Sequence, residues 1–130
     1  MNVGGIDHVN IRAPERLIEE IRVFYRDLLG LVPGPRPAQS KPGYWLYAQD
    51  HPLVHLTIVA DADGSEDAKP TGRIGHLAFA CTDLAETKRR LAVMGVEYRE
   101  GVVPALQQAQ LFFVDPAGIR VELNFAQPGV

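Results

Sequence analysis

The stretch QLFFVDPAGIRVELNF, from Gln110 to Phe125, reads as two strands and the turn between them. Pro116 and Gly118 fall at the second and fourth positions of a turn that starts at Asp115, the placement a type I turn favours. Because strand side chains alternate, Glu122 points away from the face that carries Val121 and Leu123. A carboxylate in so apolar a strand is there to be exposed, paired or used.

Working outward, the same pattern occurs once earlier. GYWLYAQDHPLVHLTIV, Gly43 to Val59, reads as two strands with a turn at Asp50 to Pro52, and His55 takes the place of Glu122. Upstream of each hairpin lie a short strand and a helical pattern. Ile6 to Ile11 (IDHVNI) and Ile74 to Ala80 (IGHLAFA) are the strands. The first helix starts near Pro14, repeats Leu17, Ile21, Phe24 and Leu28, widened by Ile18 and Tyr25, and stops at Gly30. The second starts near Asp83, with Thr82 or Asp83 as N-cap, presents Leu84, Leu91 and Met94, and ends at Gly95. The chain is thus an internal repeat: module one over about residues 5–60, a polar connector at 61–72, and module two over about 73–126.

The repeat brings polar residues into register. His8 and His76 hold the third positions of IDH and IGH, and His55 and Glu122 follow the matched turns. The spacings, 55 − 8 = 47 and 122 − 76 = 46, are nearly equal. If the apolar faces of both sheets pack under the helices, all four residues line the other side. Three imidazoles and a carboxylate suit one divalent ion, iron, zinc, nickel, cobalt or manganese, with open positions left for substrate. Parity from these residues gives candidate pocket walls: Asn10, Thr57 and Asn124 to orient polar substrate atoms, and Trp45 and Tyr47 as an aromatic wall. Arg120 shares that parity and reads first as the partner of a surface carboxylate. His51, before Pro52 in the turn, reads as exposed and without chemistry, and Cys81 as an inert packing residue.

Composition narrows the rest. A chain of 130 residues, 46% hydrophobic, predicts a single domain. No long apolar run or secretory signal is visible, which predicts a cytoplasmic protein that meets no membrane. One cysteine excludes an intrachain disulfide and a thiolate-rich metal site. A net charge of −3 without a basic block excludes an electrostatic nucleic-acid footprint, leaving small molecules as partners.

Through DHVNI, FYRDLLGL, GHLAF and VDPAGIRVELNF the chain resembles the vicinal oxygen chelate superfamily of glyoxalases, bleomycin resistance proteins and dioxygenases, over essentially its whole length. The resemblance implies an α+β fold of two βαβββ modules whose curved mixed sheets form an open cleft, with His8, His55, His76 and Glu122 as ligands. It also implies a homodimer with shared sites, which the connector is long enough to permit. Proteins similar to glyoxalase I usually carry an acid or amide where this chain has His55, which sets it apart from lactoylglutathione lyases. Fosfomycin-modifying members and extradiol dioxygenases resemble it through a triad matching His8, His76 and Glu122. In that reading His55 is an acid/base beside the metal, and His55 and Glu122 are the catalytic pair. The expected function is a metal-dependent lyase, isomerase, transferase or dioxygenase acting on a small oxygenated substrate. The alternative is a non-catalytic protein that sequesters a small molecule or antibiotic, as bleomycin resistance proteins do.

Overall fold

A computed structural model describes residues 6, 8–38, 40–60 and 76–126. The connector at 61–72 and the start of the strand expected from Ile74 lie outside them. The chain divides into two compact units, Met1–Lys69 and Pro70–Val130.

The first unit runs β1 (Val9–Ala13), α1 (Glu15–Leu29), β2 (Val32–Pro33), β3 (Gly43–Ala48) and β4 (His51–Ile58). The second runs β5 (Leu77–Cys81), α2 (Leu84–Met94), β6 (Arg99–Val103), β7 (Gln108–Val114) and β8 (Arg120–Ala126), with a 3-10 turn at Pro104–Leu106. Each unit holds one four-stranded mixed sheet, ordered β1-β4-β3-β2 and β5-β8-β7-β6, so the same βαβββ unit is built twice. In each, the first strand pairs parallel with the last, and the remaining pairs are antiparallel.

Pro14 precedes α1, and Gly30 closes it in the left-handed conformation at φ 71°, its N–H returning to the Arg26 carbonyl and that of Leu31 to the Tyr25 carbonyl. The buried stripe of α1 is Leu17, Ile18, Ile21, Tyr25 and Leu28; Phe24, expected on it, is only half-buried. This stripe lies against the sheet face of Ile11, Leu46, Val54 and Leu56. Burial of each such aliphatic side chain stabilises by roughly 1.5–3 kcal/mol. Asp83 caps α2 by accepting from Glu86 N–H, and Gly95 ends it at φ 72°. The buried residues of α2 are Thr87 and Leu91, while Leu84 and Met94 stay half-exposed, so its apolar stripe is narrower than the sequence suggests.

Two boundaries move. The first strand begins at Val9 rather than Ile6, because its parallel pairing runs from Val9 opposite Val54 to Ala13 opposite Ile58; Ile6 is exposed. The first hairpin turns at Gln49 and Asp50, with Ala48 opposite His51, so His51 and Pro52 belong to β4. Gln49 takes φ 58°, the positive angle a two-residue hairpin needs. The second hairpin turns where expected: Asp115 is buried, and its Oδ1 accepts from the N–H groups of Ala117 (2.8 Å) and Ile119 (2.9 Å). No described helix is long and apolar enough to cross a membrane.

One polar cluster ties α1 to its sheet. Tyr44 donates its hydroxyl to Glu19, and Arg22 Nε donates to the other Glu19 oxygen at 2.8 Å. These bonds hold the Glu19 carboxyl below its ordinary value, Tyr44 contributing most, while the same bond pushes the Tyr44 hydroxyl up. A lowered carboxylate contributes stability above its unfolded pKa and loses it as pH falls through the folded value. Glu19 is partly exposed, so Tyr44→Phe is expected to cost about 1 kcal/mol at neutral pH. Urea midpoints of the two proteins should lie closer together at pH 3 than at pH 7; an equal gap at both would remove Glu19 from the explanation.

Candidate functional site

Register places the candidate residues. In the first sheet Asn10, His55 and Trp45 sit side by side on β1, β4 and β3; in the second, Ala78, Glu122 and Phe112 do the same on β5, β8 and β7. His55 and Glu122 therefore occupy the same place in the two sheets, opposite the buried Val54, Leu56, Val121 and Leu123. His8 and His76 each lie two residues before the first member of their row, just ahead of β1 and β5.

In the first unit the rings form a stack. His55 lies parallel to His8 (centroids 3.8 Å apart, planes 8°) and to Trp45 (4.0 Å, 13°). His55 Nε2 is 3.1 Å from the Pro52 carbonyl. Asn10 Nδ2 donates to Thr57 Oγ1 at 3.0 Å and to the His55 carbonyl at 3.3 Å, which ties β1 to β4 beside the stack. Tyr47 is drawn elsewhere. A register shift between Leu46 and Tyr47 sets it against Pro52, its ring lies over Gly34, and its hydroxyl donates to the Pro35 carbonyl.

In the second unit the polar groups form a chain. Gln110 Nε2 donates to Asn124 Oδ1 at 3.0 Å, and Asn124 Nδ2 donates to Glu122 Oε2 at 2.9 Å. Glu122 Oε1 is 3.8 Å from His76 Nε2. Glu122 is mostly enclosed (16% exposed) while His76 is half open, so the carboxylate is held from below and its free oxygen is turned toward an accessible imidazole. Gln110, Phe112 and Arg99 share this face and were not among the residues expected from the sequence. The first two were reachable by counting back from the Asp115 turn, which sets Phe112 opposite Glu122 and Gln110 opposite Asn124.

The donors suit an ion that takes nitrogen and oxygen. A carboxylate oxygen and an imidazole nitrogen 3.8 Å apart need to close by only about half an ångström to stand as neighbouring ligands at about 2.0–2.2 Å from one tetrahedral ion. His8 and His55 do not fit as a pair: imidazole lone pairs lie in the ring plane, and parallel planes stacked at this distance cannot both aim at one ion between them. At most one ring of the stack can ligate as placed. Among the described residues no group of three or more His, Cys, Asp and Glu side chains is arranged around a common ion. Elsewhere, burial pushes the Cys81 thiol up to about 11, which keeps it protonated and unreactive at neutral pH.

The profile of the glyoxalase/bleomycin resistance protein/dioxygenase superfamily matches residues 5–123. This chain belongs to that superfamily. Within it, the chain is 26% identical over 129 residues to Glyoxylase I 4 of Arabidopsis thaliana, covering 95% of this chain and 71% of that protein. Among solved structures, a glyoxalase family protein from Bacillus anthracis superposes with a TM-score of 0.74 at 26% identity, covering 98% of both chains. The fosfomycin resistance protein FosX of Listeria monocytogenes (TM-score 0.70, 14% identity, 98% and 97% covered) shares the fold. So does lactoylglutathione lyase of Agrobacterium tumefaciens (0.62, 19%, 95% of each). The double βαβββ build is thus that of the superfamily.

Proposed function

We propose that this superfamily member is a metal-dependent enzyme acting on a small oxygenated substrate chelated by one divalent ion. The observation that carries the reading is the Gln110–Asn124–Glu122 chain, which fixes a nearly buried carboxylate with its free oxygen toward His76. Held carboxylates and imidazoles are how metal ligands are oriented by the groups behind them. In this reading His76 and Glu122 hold the ion, His8 is the other histidine of a two-histidine, one-carboxylate set, and the protein is a homodimer. A bound ion of this kind, iron, zinc, nickel, cobalt or manganese, supplies Lewis acidity toward two adjacent substrate oxygens.

The remaining residues then divide the work. His55, the second ring of the stack with its Nε2 at the Pro52 carbonyl, is the residue that takes or returns a proton. Trp45 backs its ring and limits its rotation. Asn10, Thr57 and Asn124 set polar contacts to the substrate, and Tyr47, bonded to Pro35, stands behind the wall. The protein acts in the cytoplasm on small molecules, without nucleic acid or membrane.

The test is elemental analysis of anaerobically purified protein beside His55→Ala. About one transition metal per chain is expected in both, with turnover of the variant reduced roughly 10²- to 10⁴-fold, the usual worth of a general acid/base. Metal lost with His55 would make it a ligand instead. Protein that neither holds nor takes up metal would sink the enzyme reading and favour a sequestering protein.

A further inference from the structure

On the site face of the second sheet, one row of residues runs Ala78, Glu122, Phe112, Arg99 across β5, β8, β7 and β6. The next row on that face is Ala80, Asn124, Gln110, Gly101. Small residues at three of these eight positions leave open space above the sheet, and the large groups left over are a carboxylate, two amides, one aromatic ring and one guanidinium.

The guanidinium is held in place. Arg99 lies over the Phe112 ring, 5.3 Å from its centroid. The ring in turn is seated beside Gly101, where an added Cβ would come within 3.1 Å of Phe112 Cε2. Three neighbouring cations are paired with carboxylates: Lys88 with Glu100, and Arg89 and Arg90 with Glu86. Among the described residues Arg99 has no carboxylate at ion-pair distance, although Glu97 lines the same surface depression. A fixed, unconsumed guanidinium is suited to bidentate capture of an oxyanion.

We infer that Arg99 is a specificity-determining residue of this site: the substrate carries an anionic group, carboxylate or phospho, which Arg99 binds while the chelating oxygens lie at Glu122. The inference rests on the metal reading proposed above. Two strand spacings separate the residues, so the anionic group and the chelating oxygens should be about 10 Å apart at the backbone level and closer once the side chains reach inward. Phe112 between them offers a flat apolar floor for the intervening carbons.

The test uses two chelators that differ only in a tail. Acetohydroxamic acid and adipic acid monohydroxamate are titrated into nickel-loaded protein, wild type and Arg99→Gln, and dissociation constants are read by calorimetry. Wild type should bind the carboxylate-tailed probe at least tenfold more tightly. In Arg99→Gln that preference should fall below twofold, with acetohydroxamate affinity and melting temperature unchanged; Arg99→Lys should recover part of it. Equal binding of both probes by wild type, or a preference that survives in Arg99→Gln, would overturn the role of Arg99 while leaving the metal site standing. Failure of acetohydroxamate to bind the loaded wild type would instead overturn the chelation reading, and this inference with it.

Discussion

Gly43→Ala is expected to cost about 4 kcal/mol, a large part of the roughly 5–15 kcal/mol by which native domains are stable. Gly43 begins β3 at φ 150°, and a Cβ there would lie 1.9 Å from the Leu56 carbonyl oxygen and 2.9 Å from its carbon. Both are backbone atoms of β4, so no side chain can swing aside. Relief requires β3 to move off β4 near the Gly43–Thr57 pair and the Ile58 N–H to Pro42 carbonyl bond. The same ladder sets Trp45 opposite His55 two residues later, so the ring stack should loosen with it. Gly95→Ala is the control. It also has positive φ, but nothing lies within 4 Å of its added Cβ, so only the left-handed penalty of about 1–2 kcal/mol applies. Thermal melts should separate the two variants by several degrees, with a loss of roughly 15 °C for Gly43→Ala. Melting temperatures that agree within error would show that β3 yields without cost.

The difference between these glycines also marks what the sequence could show. Gly30 and Gly95 are legible because each follows a helical stripe and stops it. Gly43 reads only as the start of a strand, since its demand comes from a carbonyl that pairing alone brings near. The hairpins, helices and their matched order follow from local signals: Asp115, Pro116 and Gly118 at the second turn, Pro14 and Gly30 around α1. The edge strands do not. β2 is two residues long and contains Pro33, and β6 includes Gly101, so neither has the alternation that marks a strand; the family resemblance, not the residues, predicts them.

Site residues divide in the same way. Parity assigns His55 and Glu122 to the face opposite the core because alternation is a property of one strand. Tyr47 follows parity on paper, but the register shift after Leu46 and the Pro35 carbonyl claim it, and a bulge leaves no trace in composition. The four matched polar residues also look equivalent in sequence, whereas the structure makes them unequal: one pair is a stack and the other an acid facing an imidazole. Ring orientation depends on side-chain packing, which no spacing encodes.

That inequality gives Glu122 the largest functional effect. Glu122→Gln keeps the shape of the side chain and an oxygen able to accept from Asn124, so the fold should persist. Its one lost property is the charge on which the proposed role as a metal ligand depends. A hundredfold loss of metal affinity is the expected scale. The consequence is measurable without a substrate, because a ligand that binds only the folded state stabilises it by mass action. At a metal concentration one hundred times the wild-type dissociation constant, wild type gains about 2.7 kcal/mol, while a variant bound a hundredfold more weakly gains about 0.4 kcal/mol. For 130 residues the first corresponds to roughly 10 °C in melting temperature and the second to about 1–2 °C. Metal-free Glu122→Gln should melt no lower than metal-free wild type, since the substitution removes a mostly enclosed charge whose ion-pair partner is a half-exposed histidine 3.8 Å away. Equal metal-induced shifts in the two proteins would take Glu122 out of the ligand set, and the Asn124–Gln110 chain behind it would then be a feature of sheet packing rather than of a metal site.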